Sequence, residues 1–250
     1  MLSSMMRRTG RAGMALLLGG IAFQAANAAA PATRVTTGPG TVRVTAADVA
    51  ESNKEIESAY GALATMWTRD FEQMGRRFAV PRLFNYRGNI RSACGMMAAN
   101  NAGYCPTNNA IYFDEVFVAA QRKSAARQLG TDGDMAGIGV IAHEIGHAAA
   151  MQLGFASRVS YDNEAVADCL AGTFIRSLQE DTTLGTLEPG DLEEALFGVA
   201  AAGDPAVELT GNQRVDTRIL ARRQMMAHGT SEERVAHFKV GRTRGIWGCL

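Results

Sequence analysis

One five-residue string, His143-Glu144-Ile145-Gly146-His147, constrains this chain more than anything else in it. Histidines four apart lie on one face of an α-helix, one turn up, so both imidazoles can aim at a single ion. Glu144 stands about 100° further round the helix, where its carboxylate can reach a water on that ion without binding the ion itself. The neighbouring Ile138, Val140, Ile141, Ala142 and Ile145 are apolar, so the other side of this helix must be buried. The pattern predicts a helix over 135–153, entered by a Gly130-Thr131-Asp132-Gly133 turn and stopped at Gly154.

A catalytic zinc site on such a string needs a third protein ligand. Sixteen residues after His147, Asn163-Glu164-Ala165-Val166-Ala167-Asp168 opens a second predicted helix over 163–178. Glu164 and Asp168 are four apart and share a face. That suits a division of labour in which Glu164 binds the metal and Asp168 accepts a hydrogen bond from the distal N–H of His143 or His147, fixing the ring's tautomer. By itself such an acidic pair is a solvated helix face; after the histidine string it supplies what the first helix lacks.

The rest of the chain sets the context. With 25 basic and 25 acidic residues in 250, the charge balance argues against a nucleic-acid surface. Arg7, Arg8 and Arg11 precede an apolar run over 14–23, and Ala26-Asn27-Ala28 follows at the spacing of a cleavage site, so 1–28 reads as a signal peptide. That run is too short to span a bilayer as a helix, so no stable membrane span is expected after cleavage, and the product is expected to be periplasmic or secreted. Four cysteines remain, an even count suited to disulfides in an exported protein. Of the three possible pairings, Cys94 with Cys105 and Cys169 with Cys249 is favoured: the first closes a short Gly- and Asn-rich loop, the second ties the C-terminus to the centre.

Residues 29–45 lack periodicity and contain Pro31 and Pro39, so they read as a flexible leader, with one domain over 46–250. A helical pattern runs over 46–78, ended by Pro81; 84–87 and 110–113 are short β-prone runs flanking the cysteine loop. Asp191 with Glu194, and Thr230 with Glu233, read as N-terminal capping pairs of two further helices, the second ended by Gly241. The fold class expected is α+β, mainly helical, as a single domain with a small sheet beside the histidine-bearing helix.

The string His143-Glu144-Ile145-Gly146-His147 followed by Glu164 and Asp168 resembles the gluzincins, the thermolysin-like branch of zinc peptidases. The wider pattern is similar to a bacterial family of neutral zinc metallopeptidases. It is carried by Ser92-Ala93-Cys94-Gly95, by Gly103-Tyr104-Cys105-Pro106 with Ala110-Ile111-Tyr112-Phe113-Asp114, by Ala167-Asp168-Cys169-Leu170-Ala171-Gly172, by Gly190 to Leu196 and by His228-Gly229-Thr230-Ser231-Glu232-Glu233-Arg234. The resemblance implies a zincin-like fold with one zinc per chain on His143, His147 and Glu164. It further implies Glu144 as general base toward a water on the metal, and proteins or peptides as substrates. His228, just ahead of a capped helix, is the best candidate for a second donor to the developing oxyanion; Tyr104 and Tyr161 are weaker ones, and His237 is read as structural. The competing reading is a zinc-stabilised binding or regulatory module that no longer cuts. An intact Glu144 argues against it, since a purely structural zinc needs no general base.

Overall fold

The computed structural model describes residues 32–37, 40–226 and 228–250; the expected signal peptide lies outside them. The elements run β1 (Thr33–Thr37), β2 (Gly40–Val44), α1 (Ala46–Gln73), β3 (Arg82–Tyr86), β4 (Ile90–Ser92), β5 (Gly95–Met97), β6 (Ala102–Cys105), β7 (Ala110–Asp114), α2 (Glu115–Leu129), α3 (Asp134–Leu153), α4 (Ser160–Glu180), α5 (Asp191–Ala201), α6 (Gln213–Met226), α7 (Ser231–Arg244) and a short 3-10 turn (Ile246–Gly248). The result is the mainly helical α+β arrangement expected, with small sheets. Among the described residues no helix is long and apolar enough to cross a membrane.

Helix α3 is the centre of the molecule. Fourteen of its residues are buried, from Met135 to Ala150, because α1, α2, α4 and α5 all pack against it. Helix α1 contributes Ile56, Leu63, Met66, Trp67 and Phe71 to the same core. Its start is a complete capping box: Thr45 Oγ1 accepts from the Asp48 N–H, and Asp48 accepts from the Thr45 N–H. The helix stops at Gln73, short of the expected 78. The chain turns at Gly75, and Phe78 folds back onto Phe71 with ring centroids 4.9 Å apart.

The three-stranded sheet has the order β3-β7-β6, with β3 parallel and β6 antiparallel to β7. Central β7 buries four of its five residues, and its last, Asp114, caps α2 by accepting from the Val116 N–H at 3.0 Å. Both disulfides form with the favoured pairing, Cys94–Cys105 and Cys169–Cys249. The second lies where α4 and α7 cross at very close range: a Cβ on Gly241 would stand 1.7 Å from the Cys169 carbonyl oxygen.

Three further local expectations are corrected. The stretch read as a flexible leader contains a β-hairpin, β1 with β2, registered Val35 opposite Val42. Val35, Val42 and Val44 are buried with Val49, Ala119 and Ala120, so alternating valines, not the prolines, decide this segment. Gly241 does not end α7, which continues to Arg244; it is a glycine because the α4 backbone leaves no room for a side chain. Glu194 does not cap its own helix. It is fully buried and accepts from the Gly133 and Met135 N–H groups, both at 3.0 Å, so it caps α3 from another helix. Helices α2 and α6, finally, were not anticipated.

Around that cap stand Asp132, Asp134 and Asp191. Burial first, and then these neighbouring carboxylates, push the Asp134 pKa up to about 7. A carboxylate whose folded-state pKa is raised destabilises the fold once ionised, so its cost is absent below about pH 4 and fully present above about pH 7. Asp134→Asn is therefore expected to raise Tm at pH 8 by a few degrees, with the gain vanishing near pH 4. A thermal melt series against pH checks this, and an unchanged or lower Tm at pH 8 would refute it.

Candidate metal centre

Gly146, inside the histidine string, sets the distance between α3 and α4. A Cβ there would lie 2.9 Å from the Ala167 carbonyl oxygen, so any side chain would push α4 away. With glycine the helices touch, and α4 delivers Glu164 and Asp168 to the histidines. His143 Nε2 lies 3.0 Å from Glu164 Oε2 and 3.1 Å from His147 Nε2, and His147 Nε2 lies 3.5 Å from Glu164 Oε1. Tetrahedral zinc with bonds of about 2.0–2.1 Å places its ligand atoms about 3.3 Å apart. Two imidazoles and a carboxylate at these separations fit that ion in both donor type and spacing.

Asp168 is fully buried one turn along α4 from Glu164, and its Oδ1 accepts from His143 Nδ1–H at 2.8 Å. That bond leaves the Nε2 lone pair of His143 facing Glu164 and His147. Burial disfavours a charge on His143, yet Asp168 and Glu164 beside it push its pKa up to about 10. Glu164 is held well below the usual carboxylate range by His143 and His147, again against the effect of burial. A divalent cation on Nε2 would take the place of the His143 proton; with both imidazoles then neutral, Glu144, Glu164 and Asp168 carry −3 and Arg234 carries +1. The remainder of −2 matches one divalent cation.

Arg234 is the residue the sequence reading missed. It lies on α7, is 6% exposed, and donates to both oxygens of Asp168, at 2.9 Å from Nε and 2.7 Å from Nη2. Its Nη1 donates to the Ala202 carbonyl at 2.8 Å. Its signals were its place at the end of the family-like stretch from His228 and its position four residues after Thr230, on the first turn of a helix whose capping box the structure contains. Nothing local shows that this turn faces a carboxylate 66 residues earlier.

The group opens into a cleft of about 670 Å³ that also reaches Tyr104 and Phe117, Gln121 and Val140, and His228. Glu144 is 7% exposed and lies in its wall. His228 is at the rim, its side chain 57% exposed, with its N–H donating to Asp204 at 2.6 Å and Nδ1 3.7 Å from the same carboxylate. Tyr104 lines the cleft with its hydroxyl donating to Asn109. Tyr161 and His237 pair with each other at 3.1 Å and are not among the residues lining the cleft.

Buried His143 with half-buried His147 and Glu164, backed by an aspartate, on two close-packed helices beside a small sheet, suits a metal-dependent hydrolase. The chain matches, over residues 10–248, the family described as "Putative neutral zinc metallopeptidase", and it belongs to that family. It is similar to the "Uncharacterized protein YpfJ" of Escherichia coli K12, with 35% identity over 191 residues that cover 70% of this chain and 62% of that protein. The protein of the same description in Escherichia coli O6:H1 matches to the same extent. The match thus spans less than two thirds of the length of these relatives. No solved structure matches the chain significantly.

Removing one member of a buried ion pair strands the other, at a cost of about 3–5 kcal/mol. Arg234→Met is expected to lower unfolding stability by about that much. Urea denaturation reads it, and a loss below about 1 kcal/mol would mean that Asp168 does not depend on the guanidinium.

Proposed function

We propose that this chain is an exported zinc-dependent peptidase in which His143, His147 and Glu164 hold one zinc ion and Glu144 is the general base. The observation that carries this reading is the convergence of the two Nε2 atoms and the Glu164 carboxylate at the wall of an open cleft that also holds Glu144. When bound, zinc acidifies a water and polarises a carbonyl, the two demands of peptide hydrolysis.

The other steps belong to the chain. Glu144 takes the proton of the attacking water and passes it to the leaving nitrogen. Asp168 and Arg234 keep His143 in one tautomer and one orientation throughout. His228 on the rim offers a donor to the carbonyl oxygen as it gains charge. Among the described residues strand β6 is paired on one side only, and Ala102, Gly103 and Tyr104 line the cleft, so an extended peptide can add to this edge as a further strand. The two disulfides suit a protein that works outside the reducing cytoplasm.

Metal analysis of the purified chain, made under oxidising conditions, is expected to find about one zinc per chain, lost in Glu164→Ala. Glu144→Gln is expected to keep the zinc and lose about 10²–10⁴-fold in turnover of an unstructured protein substrate. A well-folded chain without tightly held zinc would overturn the assignment of the ligands. Normal turnover by Glu144→Gln would overturn that of the base.

A further inference from the structure

The chain has two tryptophans, and the fold treats them oppositely. Trp67 is fully buried in the core, whereas Trp247 is 75% exposed on the 3-10 turn Ile246–Gly248. That exposure is built in. The Gly248 N–H donates to the Gly245 carbonyl and the Cys249 N–H to the Ile246 carbonyl, both at 3.0 Å, and Cys249 is bonded to Cys169 on α4. At about three residues per turn, residues three apart share a side. Ile246 and Cys249 pack against the core, while Trp247 and Leu250, which is 48% exposed, stand out on the other side. Cations flank this apolar pair. The stem of Arg244 lies over Gly248, where a Cβ would stand 2.5 Å from Arg244 Cβ, and a Cβ on Gly245 would stand 3.8 Å from Arg176 Nε. Arg244 is exposed and has no ion pair among the described residues. Arg176 pairs with exposed Glu180 at 2.7 Å, a surface contact that solvent weakens. From Val235 to Leu250 the charged side chains are all basic: Lys239, Arg242 and Arg244.

We propose that this turn docks on an anionic phospholipid surface, with Trp247 and Leu250 entering the headgroup region and Arg244 and Arg176 meeting lipid phosphates. An indole has an apolar body and a polar N–H, which suits the boundary between hydrocarbon and water. A guanidinium binds phosphate through paired N–H groups, and each cation near an anionic leaflet adds attraction. The size of the patch selects the occupant. A stable protein interface takes about 800 Å² from each partner, whereas a tryptophan side chain buries at most about 250 Å². A fluid lipid surface sets no such minimum, because it moulds itself to a single inserted side chain. Among the described residues no helix can span a membrane, so the contact is peripheral. It is also separate from the metal centre: neither Trp247 nor Arg244 lines the cleft.

The test mixes the purified chain, disulfides intact, with vesicles of phosphatidylglycerol and phosphatidylcholine, or of phosphatidylcholine alone. Because Trp67 is buried, a change in tryptophan emission on binding reports Trp247. The emission is expected to shift to the blue with the mixed vesicles and to stay put with phosphatidylcholine alone. Trp247→Ala is expected to abolish the shift and to weaken co-sedimentation with the mixed vesicles about tenfold. Arg244→Gln is expected to keep the tryptophan signal as a reporter and to bind about fivefold less, a difference that high salt removes. Both side chains are exposed, so neither substitution is expected to change Tm or zinc content. Absence of a blue shift with the mixed vesicles, an equal shift with phosphatidylcholine alone, or binding that Trp247→Ala leaves unchanged would overturn the proposal. So would a concentration-dependent doubling of mass that Trp247→Ala removes, which would assign the turn to a second copy of the chain.

Discussion

The two hydrogen bonds from Arg234 to Asp168 tie three helices to one point. Asp168 belongs to α4, Arg234 to α7, and the ring they steady, His143, to α3. A buried ion pair is weak support for a fold, because desolvating both charges cancels most of their attraction. Its value here is direction. A carboxylate held at both oxygens cannot swing, so the imidazole it accepts from cannot turn, and the Nε2 lone pair stays aimed at Glu164 and His147. The candidate metal centre would require this steadiness, because ligand atoms about 3.3 Å apart bind zinc well only when they are already in place.

Close backbone contact brings these charges together. Gly146 lets α4 lie against α3, and Gly172 and Gly241 let α7 lie against α4: Cβ atoms at the last two would stand 2.0 Å from the Phe238 oxygen and 1.7 Å from the Cys169 oxygen. The Cys169–Cys249 bond holds the end of the chain to the same crossing. At its other end α3 is fixed by Glu194, which takes the first free N–H groups of the helix from a neighbouring one. Burial and the carboxylates crowded around that cap push the Asp134 pKa up, and the cap itself fixes where the histidine-bearing helix begins.

Much of the site was legible in the sequence because helical spacing fixes geometry locally. Histidines 143 and 147 had to share a face, and so did Glu164 and Asp168; only their meeting had to be inferred. Thr230 with Glu233 read correctly as a capping box because both partners lie within one turn. Asp191 with Glu194 had the same signature and failed, because a buried carboxylate can serve any N–H the fold brings to it. The hairpin over Thr33–Thr37 and Gly40–Val44 was hidden by its prolines and glycines, although Val42-Arg43-Val44 carries the alternation of a half-buried strand.

The sequence by itself determined which donor residues are present and how the helices present them, and it favoured one of the three possible cysteine pairings. These follow from residue type and spacing along one chain segment. The tertiary structure alone decided that Arg234 lies behind Asp168, that Glu194 caps a different helix and that, among the described residues, β6 has a free edge beside the site. Each of these joins residues tens of positions apart, or depends on what does not pack against a group. No local periodicity encodes such relations, because they arise only when whole helices dock.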